Sequence, residues 1–276
     1  MTEQNQPQRQ YLAAYEVLPA MRREADFFIG LTPLQILVLS ITGGCFVTLG
    51  GLFSVLLAMG VDTPGVQLLL QGLGFSTGFF MIILARAALF TEANVVLPAT
   101  LLQGNAGALL GKAARFWAIA WFGNMLGCYL LGQVIAFAQH YPETFQSTLS
   151  YMVSKKMSYM EEGTTSAWLQ IVVSGMLGNG LIGMAAFFAT MANTLVSKFI
   201  PVFLVVSLFV AGNLQHSPAN MGYFSLIMAM GEGPGWRDAF LWNILPAGLG
   251  NILGGTLLVA LPFWFAFRNH LPPPER

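Results

Sequence analysis

One ionisable ring, His216, stands beside helix-breaking residues in the stretch Phe-Val-Ala-Gly-Asn-Leu-Gln-His-Ser-Pro-Ala-Asn-Met-Gly, inside a run with no formal charge over residues 199–231. A segment this long and apolar crosses a bilayer as a helix, which puts His216 near the membrane midplane. Irregular backbone is tolerated at that depth only where protein buries it or where it lines a cavity. Ser217 followed by Pro218 reads as an N-cap and a first-turn proline. A half-helix therefore starts there, with free amides and a positive dipole end that favour an anion or a carbonyl-like oxygen. A neutral histidine can hydrogen-bond a small solute, and a protonated one can attract an anion or hand it a proton. The other reading is a structural histidine bonded to a cap or backbone group. Intramembrane ionisable residues are functional candidates by default.

A second interruption, Leu89-Phe90-Thr91-Glu92-Ala93-Asn94, divides another apolar run, and Thr91 is placed to cap a half-helix as Ser217 does. Two helix N-termini then face the midplane, a weak positive field suited to an anion that must also leave. Arg86 is costly at such depth unless it snorkels or pairs. The leading expectation is an ion pair with Glu92 that braces the break, with direct attraction of an anion as the alternative. Phe75, Phe79, Leu89, Phe90 and Phe209 can form dry constrictions on either side of the histidine, or serve as packing and lipid-facing residues. Asn124, Asn179, Asn213, Asn220 and Asn251 are uncharged polar groups within spans, read as interhelical glue or as solute ligands; Asn179, Asn220 and Thr91 are assigned with His216 to a solute pathway.

The elements that must hold these residues are legible in the charge spacing. Of 276 residues 55% are hydrophobic and only 9% charged, against about a quarter charged in soluble domains, so the chain is an all-α membrane protein. Uncharged windows cover residues 27–61, 63–85, 93–111, 116–142, 163–197, 199–231 and 239–267. Joining the second and third across Arg86 and Glu92 leaves six spans, of which two and five are broken. Balanced net charge gives no sign of a nucleic-acid partner, and none is expected, while Cys45 and Cys128 suggest neither a disulfide framework nor a metal site. His140, His216 and His270 are scattered and no HExxH occurs, so no metal, cofactor or enzymatic activity is expected.

Residues 1–26 form a leader that contains an amphipathic helix on the membrane surface, kinked or broken at Pro19, or else a plain solvated segment. Residues 27–268 form one transmembrane channel domain, and residues 269–276 a tail. Eight basic residues on the side of the termini, against Lys155, Lys156 and Arg237 opposite, place both termini in the cytoplasm. Thr91-Glu92-Ala93-Asn94 is echoed 126 residues later by Ser217-Pro218-Ala219-Asn220, and Phe122-Gly123-Asn124-Met125-Leu126-Gly127 is echoed 127 residues later by Leu249-Gly250-Asn251-Ile252-Leu253-Gly254. These echoes divide the domain into repeats of about residues 27–139 and 163–268. Three spans per copy require the copies to be inverted, a transporter and channel architecture. On the residues alone, a channel for a small weak-acid anion and a pore for water or a small neutral solute both stand.

Leu89-Phe90-Thr91 and His216-Ser217-Pro218-Ala219-Asn220-Met221 resemble the two breaks of the formate/nitrite transporter family, over roughly residues 15–268. The resemblance implies an aquaporin-like protomer, assembled as a homopentamer in a bacterial inner membrane among its lipids, that passes formate, nitrite or hydrosulfide, with a proton in some modes. It implies constriction rings at Phe75 and Phe209, a first broken loop at Leu89, Phe90 and Thr91, a central His216 and a span-four Asn179. The chain departs from the family pattern at Ala88 and Gln215, where acidic residues are usual, at Gly163, where a lysine is usual, and at Arg86, which replaces a small residue. An anion-attracting vestibule altered on one side is the expectation.

Overall fold

The computed structural model describes residues 9–103 and 106–271. The first eight leader residues and the tail beyond Leu271, Arg276 included, lie outside the described residues. Apart from an isolated antiparallel bridge between Tyr11 and Ala192, all regular structure among the described residues is helical.

Helix α1 (Ala14–Gly30) runs through Pro19, which lies beyond the first turn and removes one intrahelical hydrogen bond without ending the helix. Its apolar face (Val17, Leu18, Met21, Ala25, Phe28 and Ile29) is buried, and it packs on protein rather than lying free on a membrane surface. That face recurs to Ile29, so the helix continues past residue 26. Helix α2 (Pro33–Ala58) opens with a capping box in which Thr32 and Gln35 satisfy each other's backbone amides. Next come α3 (Pro64–Ala85), α4 (Phe90–Gln103), α5 (Ala106–Ala138), the amphipathic connection α6 (Glu143–Glu162), α7 (Thr165–Met191), α8 (Leu195–Ala211) and α9 (Ser217–Ala229). A final helix, Trp236–His270, widens into π-turns at Phe240–Ile244 and Gly255–Ala260. Five helices are long and apolar enough to cross a membrane, and α8 is a shorter apolar one.

The chain is interrupted between α3 and α4, and between α8 and α9, by turns of the same geometry. Among the described residues, Arg86 and Asn213, 127 residues apart, are the two non-glycine residues with left-handed φ, 51° and 49°. After each, an amide reaches back five residues: Ala87 N donates to Ile82 O and Leu214 N to Phe209 O. These are Schellman closures, which satisfy the last carbonyls of the incoming helix. The outgoing half-helices start at Phe90 and Ser217, again 127 apart. His216 therefore stands in the place of Leu89, not of Phe90, and Asn220 in that of Ala93. The 126-residue echo is one residue out of register with the geometry, while the 127-residue echo is in register.

Close approach at glycine sets the helix spacing in both halves. A Cβ on Gly127 would strike the Ile41 carbonyl of α2, and one on Gly254 the Met176 carbonyl of α7. Without a side chain the backbones meet directly, which is how helices gain packing energy in lipid. Replacing Gly254 by Val is expected to destabilise the protein by about 1–3 kcal/mol or more through overpacking. Gly111→Val, where nothing lies within 4 Å, should stay within about 0.5 kcal/mol of wild type. Thermal unfolding of the detergent-purified variants distinguishes the two.

Candidate functional site

A half-helix that starts inside the protein leaves its first amides without partners, and at each interruption an asparagine supplies one. Asn124 Oδ1 accepts from Phe90 N at 2.9 Å, while its Nδ2 donates to the carbonyls of Ser40 and Ala88. Asn251 Oδ1 accepts from Ser217 N at 2.8 Å, while its Nδ2 donates to the carbonyls of Gly175 and Gln215. Each amide thus ties a half-helix to the extended segment before it and to a neighbouring helix.

His216 is the N-cap of α9. Its Nδ1 accepts from Ala219 N at 3.2 Å. Ser217, expected to be the cap, lies inside the helix, and its Oγ instead accepts from Trp121 Nε1 at 2.8 Å. Pro218 occupies the first turn, where its missing N–H costs nothing. Thr91 is likewise inside α4, because Leu89 O already accepts from Ala93 N; Thr91 Oγ1 is buried without a partner. With Nδ1 accepting, the neutral imidazole carries its proton on Nε2. Nε2 is buried and has no protein partner, so the ring presents an N–H donor.

The His216 ring lies 5.3 Å from the Phe209 ring, and Phe209 lies 6.0 Å from Phe75. Phe75 also stacks on Tyr223 at 5.9 Å, whose hydroxyl bonds Ser54 Oγ. Phe79 and Leu89 are buried in the same apolar cluster. Phe90 is not part of it. As the first residue of α4 it turns outward, packs 6.2 Å from Trp121 and joins the cluster of Phe28 and Phe116.

Beyond Phe209 stands a cation to which the sequence gave no role. Lys156 on α6 is 6% exposed, and its Nζ donates to Leu214 O at 2.9 Å and lies 6.0 Å from the Phe209 ring centroid. It borders a cavity of about 150 Å3 with Gln71, Tyr151, Lys155, Asn213 and Tyr223. Burial lowers its ammonium to about 7. Gly163, where a lysine is usual, does not point to this residue, since α6 folds Lys156 against the second interruption from outside the long apolar helices. A buried cation therefore stands beside Phe209 despite Gly163.

Gln215, in place of the acidic residue implied by the resemblance, keeps the acceptor role without the charge. Its Oε1 accepts from Asn220 at 2.8 Å and from Asn243 at 3.1 Å. Asn220 Nδ2 also donates to Asn243 Oδ1, and Asn243 Nδ2 donates to Lys156 O. The amide of Asn220 is therefore committed to a network behind the break, although its Oδ1 is unpaired. Asn179 Nδ2 donates to Asn251 O at 2.7 Å, leaving its Oδ1 buried and unpaired. Asn243 was missed, although it is the same kind of signal as Asn251: an uncharged amide in an apolar run.

Arg86 does not pair with Glu92. Its guanidinium makes a bidentate pair with Glu24 of α1, at 3.0 and 2.8 Å, and lies 4.0 Å from the Phe27 ring centroid. The left-handed backbone at Arg86 turns the side chain out toward α1, while Glu92 lines a small cavity with Leu89, Ala93 and Phe28.

The profile of the family described as formate/nitrite transporter matches residues 15–265. The probable formate transporter of Methanothermobacter thermautotrophicus is 26% identical over 246 residues, 84% of this chain and 89% of that protein. The formate channel FocA of Escherichia coli (strain K12) is 26% identical over 255 residues, 85% of this chain and 87% of that protein. A solved structure described as a pentameric formate channel with formate bound has the same fold, with a TM-score of 0.71 at 22% identity over 86% of this chain and 98% of that one.

Replacing Asn251 by Leu strands the Ser217 amide and the Gln215 carbonyl. Each buried orphan costs about 1–3 kcal/mol, so a clear fall in melting temperature is expected. Asn269→Leu, at an exposed position with no side-chain hydrogen bond among the described residues, should leave it unchanged.

Proposed function

The chain belongs to the formate/nitrite transporter family, and from that membership we propose that it is a membrane channel for a small weak-acid anion of the formate, nitrite or hydrosulfide type. The observation that carries this reading is the unpaired Nε2 of a fully buried His216 beside Phe209, with Lys156 Nζ 6.0 Å from the same ring. The paired turns at Arg86 and Asn213 support six membrane crossings in two inverted three-helix halves, an aquaporin-like arrangement with residues 27–268 as the channel domain. The positive-inside bias supports cytoplasmic termini, and the pentameric relative supports a homopentamer with a pore in each protomer.

An anion is drawn into the Lys156 cavity, sheds water at Phe209 and Phe75, and takes a hydrogen bond from His216 Nε2–H or, where bulk water has first protonated the ring, a proton that leaves the imidazole neutral. Thr91 Oγ1, which can donate to the anion, and Asn179 Oδ1, which can accept from the protonated acid, are both unpaired and are the next polar groups on the path. As the neutral acid it avoids most of the Born cost of a bare ion in a low-dielectric region, nominally on the order of 20 kcal/mol. Leu89, in the histidine's place at the other break, provides the dry exit.

In proteoliposomes, His216→Phe is expected to lower formate and nitrite flux by about 10- to 100-fold, as losing a hydrogen bond to a charged solute worth about 1.5–3 kcal/mol implies. Unchanged anion flux would instead favour a pore for water or a neutral solute. Lys156 supplies a second test. With its pKa lowered to about 7, the cation is present below that pH and lost above it. Anion flux should therefore fall as the pH on the Lys156 side rises through about 7, and Lys156→Met should be low and flat across that range.

A further inference from the structure

An apolar groove runs along the outside of the protein between α5 and the final helix. Its larger segment, about 580 Å3, is lined by Met125, Leu126, Tyr129, Trp236, Arg237 and Phe240, together with Leu241. A second segment of about 370 Å3 continues between the same helices past Trp121 and Phe122 to Trp117. Aromatic pairs bound the larger segment at both ends: Tyr129 and Trp236 at 6.0 Å, and Trp121 and Phe240 at 5.6 Å. The π-turn at Phe240–Ile244 shapes its wall, since it sends Asn243 into the buried network and leaves Leu241 half exposed.

We propose that this groove binds a phospholipid, with one acyl chain in the larger segment and the phosphate on Arg237. Depth supports this occupant. Trp121 bonds Ser217 at the helix interruption, and Tyr129 lies eight residues further along α5, about 12 Å at 1.5 Å per residue. That is close to the hydrocarbon depth of one leaflet, about 15 Å. Tyrosine and tryptophan at the outer end are the side chains that settle at the headgroup level. Arg237 is exposed and, among the described residues, makes no hydrogen bond or ion pair. Guanidinium is a strong partner for phosphate oxygens, and its stem can lie along apolar surface while its head reaches the interface. Trp117 Nε1, in the inner segment, is also without a partner.

Phosphatidylglycerol titrated into the delipidated, detergent-purified protein and followed by native mass spectrometry tests the site. One lipid per protomer is expected to survive activation. Arg237→Gln should weaken retention about tenfold, and Leu126→Trp, which fills the groove, should abolish it. Formate flux should persist in both variants, since neither residue lies on the proposed pathway. Equal retention in wild type and in Arg237→Gln overturns the proposal. So does efficient disulfide cross-linking between copies through Leu126→Cys and Leu241→Cys, which would show that a neighbouring copy of this chain covers the groove.

Discussion

A buried backbone amide or carbonyl left without a partner costs about 1–3 kcal/mol, and this chain interrupts its helices twice inside its core. Everything near the centre follows from how those interruptions are paid for. The incoming helices end in Schellman turns at Arg86 and Asn213, and Asn124 and Asn251 bond the first amides of the outgoing ones. The clasps work only because glycine lets α5 and the final helix approach their neighbours at backbone distance. A side chain there would move the asparagine out of hydrogen-bonding reach, so packing and polar satisfaction are one requirement.

With the backbone settled, the chemistry lies in the differences between the two interruptions. One carries His216 as a cap, with its free edge unpaired, and behind it Gln215, Asn220 and Asn243 lock the carbonyl of Lys156. The other carries Leu89 and Ala88 at the matching places, with no side chain that can titrate or bond. A cation, an aromatic ring and an imidazole therefore stand together at the second interruption. Gln215 preserves this order: its amide oxygen accepts the same two bonds a carboxylate oxygen could, and it places no counter-charge beside the buried lysine.

Helix α1 illustrates how a residue that looks anomalous in a span is resolved by a distant element. Arg86 is affordable because it leaves the apolar interior, with its guanidinium paired to Glu24 and stacked on Phe27. Arg115 and Arg22 also bond main-chain carbonyls at the ends of α1 contacts, to Ile29 and Gln103. The leader helix is consequently part of the protein body.

The sequence by itself determined the membrane class, the apolar helices and where two turns interrupt them, because charge exclusion from hydrocarbon and the Ser-Pro signature act through neighbouring residues. It also determined that His216 is buried and close to Phe209, seven positions before it. It misplaced the caps, since both serine and histidine can accept from a backbone amide and only the surroundings decide which does; here Trp121, 96 residues from Ser217, claims the serine hydroxyl. It grouped Phe90 with Phe75 and Phe209, where the structure packs it with Phe28 and Phe116, and it paired Arg86 with Glu92 in place of Glu24, because side-chain direction after a left-handed residue is not a local property. Lys156 and Asn243 went unnoticed for the same reason. Their roles arise from α6 and the final helix folding against the second interruption, a contact between segments 58 and 87 residues apart in the chain. Only the tertiary structure decided which polar groups were left over for a solute, because that depends on every bond made by all the others.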